Sequence, residues 1–456
     1  MKGSTVMTCA WKNIKDKNLA LTFSDGYIDF LNKCKTERTC IEFVKSSAEA
    51  NGFKDIDAIS SLKAGDKVYK VNRGKNIILA RIGKEDIVNG TNIIASHIDS
   101  PRLDLKQHPL YEDSGLALFK THYYGGLKKY QWTAIPLSLI GVVIDAEGNT
   151  INVNLGEDEG DPVLTITDLL PHLASDQMSK KMTEAFTGED LNVLVGSMPH
   201  DDEEKTVKDA ILDTIKEKYG FDEDDFISAE LEIVPSFKAV SVGLDSSMVG
   251  SYGQDDRVCA YTSLMGIIDC ADTNRTAICY LADKEEIGSV GNTGMMSRFF
   301  ENFVAEIIEK SKGEYNDMYL RRALSASMCI SADVAVALDP NYKSVSEEKN
   351  SAFIGGGLTM CKYTGARGKY STSDANAEFV GKIRRMFDDA GIAWQTAELG
   401  KVDQGGGGTV AQFIANLDVD TIDVGVALLS MHAPFEIASK ADVYTAYLGY
   451  KAFYEA

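Results

Sequence analysis

The chain has 456 residues, 44% of them hydrophobic and 25% charged, which suits one very large domain or two with ample material for a buried core. Its formal net charge of −21 argues against a nucleic-acid or anionic-membrane partner, because no basic patch offsets the acidic excess. The N-terminal segment MKGSTVMTCAWKNIKDKN has no apolar core of signal-peptide length, and no apolar run approaches the roughly 20 residues that span a bilayer, so a cytoplasmic protein is expected. The eight cysteines are scattered without a Cys-x-x-Cys pair, and several sit inside apolar runs, which predicts reduced, buried thiols.

Residues 26–50 show helical periodicity, with Tyr27, Phe30, Leu31 and Cys34 on one face and Ile41 and Val44 further on. Residues 67–81 read as a hairpin that turns at Asn72-Arg73-Gly74. A strand at 91–96 then stops at His97. Between 103 and 246 the texture changes. The alternating segments ALFKTHYYG, LSLIGVVID and NTINVNL, an acidic helix at 202–218 and the closing AELEIVPSFKAVSVGL predict a β-rich unit with one helix. From 255 onward, helices at 256–271, 298–311, 374–390, 409–416 and 438–454 alternate with strands at 275–281, 326–331, 392–396 and 421–429. That alternation predicts a doubly wound α/β sheet with helices on both faces. The strand at 91–96 precedes the β-rich unit, so the economical topology is a discontinuous α/β domain, residues 1–100 and 248–456, interrupted by an inserted β-rich domain at 101–247.

Four predicted strands each deliver a metal-capable side chain just past their ends: His97, the pair Glu285-Glu286, Asp333 and His432. In an open α/β sheet that edge is where ligands and catalysts gather. Each residue also has an ordinary reading. His97 could be a strand-end histidine bonded locally, and Asp255-Asp256 could serve the dipole of the helix that follows. Glu285-Glu286 could be a solvated acidic loop. The constellation is stronger than its members. Two histidines and three carboxylates suit a pair of zinc-like ions about 3.5–4 Å apart that share one carboxylate. Asp99, two residues after His97, can fix the tautomer of a ligating imidazole. Neighbouring side chains diverge, so one glutamate of the pair can bind metal while the other acts as general base toward a metal-polarised water.

Five spaced motifs, HIDSPRLDLK, GQDDR, LADKEEIGS, ISADVAVALDPNY and LLSMHAPFEIASKADV, resemble in the same order those of the M18 family of dinuclear zinc aminopeptidases, the aspartyl aminopeptidase and aminopeptidase I group. The resemblance spans essentially the whole chain. It implies a zinc-exopeptidase-like fold and removal of an acidic or neutral N-terminal residue from peptides. By position it implies one ion on His97 and Asp333, a second on Glu286 and His432, and Asp255 bridging them. Glu285 would be the general base and later the proton donor, and a cis peptide would join Asp255 to Asp256. The cofactors implied are two Zn2+ per subunit, with Co2+ or Mn2+ as alternatives.

The inserted unit corresponds to the family's dimerisation domain. There LLPHLA carries His172, which by resemblance reaches a neighbouring subunit's site to stabilise an oxyanion. The implied partner besides peptide substrate is the chain itself, as dimers building a tetrahedral dodecamer. The chain departs from eukaryotic aspartyl members at VDQGGGGTV, where Asp403 and Gly407 are candidates for the substrate-amine end. Lys369, with Lys362 and Arg367, is a candidate for an acid-binding wall. Two competing functions are a dinuclear deacylase or amidohydrolase acting on N-acylated amino acids, and a non-catalytic oligomeric shell of the same fold. The presence of Glu285 and all five ligand candidates disfavours the shell.

Overall fold

The structure, a computed structural model, describes residues 9–456, so the first eight residues of the N-terminal segment lie outside the described residues. The chain divides into two compact units. One comprises residues up to Asp99 together with Ala239–Met431 and Phe435–Ala456; the other comprises Ser100–Lys238 and His432–Pro434.

The first unit is built on a nine-stranded sheet of β1 (Lys54–Asp55), β2 (Lys67–Asn72), β3 (Asn76–Arg81), β4 (Thr91–His97), β5 (Thr276–Ala282), β6 (Met328–Ser331), β7 (Leu358–Cys361), β8 (Trp394–Thr396) and β9 (Asp420–Gly425). Their spatial order is β1-β2-β3-β5-β4-β6-β9-β7-β8. The central run β5-β4-β6-β9 is parallel throughout. Strands buried on both faces read as near-continuous apolar runs, and here successive residues feed two separate cores. In β3, Ile77 and Leu79 join one core while Ile78 and Ala80 join the other; in β5, Ala277, Cys279 and Leu281 oppose Ile278, Tyr280 and Ala282.

Helices Lys17–Lys33, Glu37–Ala50, Gln254–Asp269, Ala377–Asp389 and Lys440–Glu455 contribute to the first core. Phe299–Lys312, Asp317–Ser325 and Ala411–Ala415 contribute to the second. Each fully buried Phe or Ile there contributes about 1.5–3 kcal/mol. The doubly wound mixed sheet is the architecture the alternation predicts.

Three details differ from the sequence reading. The periodic stretch 26–50 is two helices, because Thr36 and Thr39 form a reciprocal capping box that starts a second helix at Glu37. The apolar run 421–429 is divided: Asp420–Gly425 closes the large sheet, while Ala427–Leu429 enters a five-stranded sheet with Ala335–Val336, Glu436–Ser439, Met248–Ser251 and Val240–Val242. The helix Asp317–Ser325 and the strand β7 are too short to announce themselves by periodicity.

The second unit holds a six-stranded antiparallel sheet in the order Thr150–Leu155, Leu137–Ile144, Ala229–Pro235, Arg102–Asp113, Leu116–Tyr124 and Val193–Gly196. Its long helix, Val207–Tyr219, starts later than the acidic run suggests because Thr206 and Asp209 cap it, and it ends at Gly220 in the left-handed region (φ 84°). All eight cysteines are free thiols, and all but Cys9 are buried. Among the described residues no helix is long and apolar enough to cross a membrane.

Candidate metal centre

Strand register decides which side chains can meet. Pairing of β4 with β5 sets Ala282 opposite His97, and pairing of β4 with β6 sets Ser331 opposite Ala95. The residues that leave β5 and β6 therefore emerge beside His97 on one sheet edge. The helix Gln254–Asp269 brings Asp255 and Asp256 there at its first turn. One ligand atom each from His97, Asp256 and Asp333 lie within 4.8 Å of one another, and the same holds for His97, Asp255 and Glu286. Four of the five ligand candidates read from sequence thus converge, joined by Asp256.

His97 is buried and held at both ring nitrogens. Nδ1 lies 3.0 Å from the Asp99 carbonyl oxygen and 3.3 Å from its carboxylate. A carbonyl oxygen only accepts, so Nδ1 carries a proton there. Nε2 faces Asp255 at 3.3 Å and Glu285 at 3.8 Å. The Asp99 carboxylate also accepts the backbone N–H groups of Glu285 (3.1 Å) and Glu286 (3.2 Å). One aspartate thereby orients the imidazole and fixes the backbone of the acid pair. The chain turns into that pair through Lys284 in the left-handed region (φ 68°).

Two further acids brace the opposite side. Asp256 accepts the backbone N–H of His97 at 3.2 Å, and the buried Glu436 accepts that of Asp255 at 3.1 Å. The peptide bond between Asp255 and Asp256 is cis. Sequence reasoning missed both acids. Asp256 looked like a helix-dipole partner, and Glu436 sits in an ordinary strand, EIAS, with no local mark of its role.

The electrostatics are those of a cation site. Burial opposes charge on His97, yet its hydrogen bonds to Asp255 and Asp99 and the field of Glu285 lift its pKa well above normal. Burial first, then Asp255, pushes Asp256 far above the usual carboxylate range against the pull of His97. Burial and then Asp256 do the same to Asp333. Several carboxylates around a single imidazole leave an excess of negative charge that a divalent cation would relieve. Oxygen and imidazole donors without a thiolate suit an ion of the zinc type.

The remaining candidates belong to neither donor set. His432 follows the strand Ala427–Leu429, groups with the second compact unit, and adopts a left-handed backbone (φ 65°). Its Nδ1 lies 2.7 Å from the Gly126 carbonyl oxygen, which only accepts, so that nitrogen is the donor. His172 is exposed on the single turn Pro171–Leu173 of the second unit. Lys369 pairs with Asp374 at 2.8 Å and lies 3.8 Å from the Tyr363 ring centroid. It lines a hollow of about 320 Å³ with Arg367, Glu398 and Lys401, and none of the clustered acids lines that hollow. Asp403 is exposed with φ 70°, and Gly407 accepts the Gly365 N–H at 2.6 Å. The glycine run has a packing reason. A Cβ on Gly405 or Gly406 would come within 1.9 Å of the carbonyl oxygens of Leu399 and Gly365 respectively.

Comparison with known proteins agrees with this chemistry. Residues 30–454 match the family model of the aminopeptidase I zinc metalloprotease (M18). A probable M18 family aminopeptidase 1 of Clostridium acetobutylicum is 51% identical over 452 residues, which cover 97% of each chain. The crystal structure of an M18 aminopeptidase from Thermotoga maritima superposes with a TM-score of 0.96 at 44% identity, covering 99% of this chain and 100% of that one. At 21% identity, the mApe1 dodecamer of S. cerevisiae shares the fold with a TM-score of 0.76, over 96% of each chain. The chain belongs to the M18 family and is a metallo-aminopeptidase, a hydrolase of peptide bonds.

Proposed function

We propose that the centre holds two divalent ions of the zinc type and removes an acidic or neutral N-terminal residue from peptides by general-base hydrolysis. The observation that carries this reading is the pair of overlapping donor sets, His97/Asp256/Asp333 and His97/Asp255/Glu286, with Glu285 beside both and a member of neither. Glu285 lies 3.8 Å from His97 Nε2, and its side chain keeps 17% exposure, so it can reach water. Bound zinc would acidify a coordinated water and polarise the scissile carbonyl. Glu285 would accept the water's proton and return it to the leaving amine. Asp99 would hold His97 and the Glu285-Glu286 backbone in register, and Asp255 would bridge the ions.

His432 as the remaining ligand rests on its place in LLSMHAPFEIAS directly after a strand, with Nδ1 already committed to a carbonyl. The unit 101–247 is proposed as the dimerisation domain, with dimers building a dodecamer, and 1–100 with 248–456 as the catalytic domain. Within the former, His172 would stabilise the oxyanion in a neighbouring copy; its exposure among exposed leucines supports this. Asp403 and Gly407 would lie toward the substrate amine and Lys369 toward an acidic side chain. The free thiols suit a cytoplasmic setting.

A screen of residue-amide and short peptide substrates, before and after chelation and zinc re-addition, tests the reading. Free N-termini should be cleaved, chelation should abolish turnover, and metal should restore it. Equal cleavage of an N-acetylated peptide would overturn it in favour of a deacylase.

A further inference from the structure

The acid pair sits on a loop that leaves β5 at Ala282 and reaches the next helix at Phe299. Asp99 holds this loop from one side. A second set of bonds, made by residues outside the two donor sets, holds it from the other. The Thr293 hydroxyl donates to the Asp283 carboxylate at 2.6 Å, two residues before Glu285. The Asn76 amide donates to the Thr293 carbonyl at 2.7 Å and to the Tyr280 hydroxyl at 3.3 Å. Asn72 donates to the Asn292 carbonyl at 2.8 Å. The far limb of the loop is thus tied to the β2–β3 hairpin, and Thr293 passes that anchorage to Asp283.

The crossing is tight. Ser289 N–H bonds the Lys284 carbonyl at 2.7 Å, and a Cβ on Gly294 would lie 2.3 Å from the Ser289 oxygen. Asn76, Asp283 and Thr293 are 0%, 1% and 2% exposed. Apolar side chains could close a buried loop equally well. A buried polar network instead favours one geometry, because each bond it makes is costly to lose, and Asn76 Oδ1 and Asp283 Oδ1 have no hydrogen-bond partner among the described residues to replace a lost one.

We propose that Thr293, acting through Asp283 and anchored by Asn76, is a positioning residue for Glu285 and Glu286. The proposal rests on the reading of Glu285 as base and Glu286 as ligand. Loss of the Thr293 hydroxyl would free the Asp283 carboxylate, leave Asp283 tied to Thr293 by one long backbone bond of 3.4 Å, and let the turn that carries both glutamates drift; a misplacement near 1 Å costs about 10²-fold in rate.

The test uses the full-length, zinc-loaded protein and the variants Thr293→Val, Thr293→Ser and Glu285→Gln. Thr293→Val should lower kcat on a residue amide by about 10²-fold with KM little changed. Thr293→Ser, which keeps the hydroxyl, should restore most of the rate. Backbone hydrogen exchange should quicken over 284–290 in Thr293→Val alone, and that variant should lose zinc sooner to a competing chelator. An unchanged kcat in Thr293→Val, equal damage by serine and valine, or exchange quickened evenly through the chain would overturn the proposal. Retained activity in Glu285→Gln would instead remove the base assignment, while exchange and zinc retention would still decide the role of Thr293.

Discussion

His97 and His172 occupy opposite surroundings, and the contrast separates what one chain completes from what it leaves open. His97 is 1% exposed, meets Asp99 at Nδ1, and faces Asp255 and Glu285 at Nε2. Every bond that orients it comes from its own compact unit. His172 lies on a turn whose neighbours Leu169, Leu170 and Leu173 are 45%, 48% and 67% exposed. Leucines so placed gain nothing until another surface covers them. The first histidine is thus held by bonds within its own unit, whereas the second stands exposed among exposed leucines.

The largest effect should come from the finished side. Glu285→Gln keeps the shape of the side chain and removes the proposed base. Turnover should fall by about 10²–10⁴-fold while zinc content stays near normal. Steady-state kinetics with metal analysis on the same sample checks both halves. Normal turnover would remove Glu285 from the chemistry.

His172→Phe tests the open side. Loss of an oxyanion donor costs about 10²–10³-fold in kcat, here with metals still bound. The comparison sharpens in a mixture. Subunits carrying only Glu285→Gln and subunits carrying only His172→Phe are each impaired. Reassembled together, they should regain activity if His172 serves a neighbouring copy, because some sites then hold one intact member of each kind. Absence of any recovery in mixed assemblies would confine His172 to its own chain.

The two sides also differ in how far they could be read from residues alone. The strand ends at His97 and Asp333 stood out because an apolar run stops abruptly at a polar donor, and the parallel register of β4, β5 and β6 turns that pattern into proximity. Asp256 and Glu436 did not stand out. Each accepts a backbone N–H from a distant segment, at His97 and Asp255 respectively, and no local pattern encodes such a contact. The same holds for Asn76 and Thr293, which are 217 positions apart. The break at 34–36 was hidden because the apolar stripe runs through it, although the Thr36-x-x-Thr39 cap was present in the sequence. His172 was legible through resemblance only, since an exposed turn carries no periodicity.

The smallest expected difference lies in two helix caps, one in each unit. In the first unit Thr36 accepts the Thr39 N–H at 3.3 Å, while Thr39 returns a bond to the Thr36 N–H at 3.0 Å. In the second unit Thr206 accepts the Asp209 N–H at 3.2 Å, and Asp209 accepts the Thr206 N–H at 2.7 Å. The motifs match, but Thr36 is buried and Thr206 is exposed. Replacement of either by alanine removes a cap worth about 0.5–2 kcal/mol. At Thr206 water can take over the freed N–H, which places the loss at the low end of that range. At Thr36 the freed N–H lies where water has little access, so the loss should sit at the high end. Chemical denaturation of the two single variants, with metal removed so that binding does not mask the change, measures the gap. Equal losses would show that burial of a cap adds nothing to its worth in this chain.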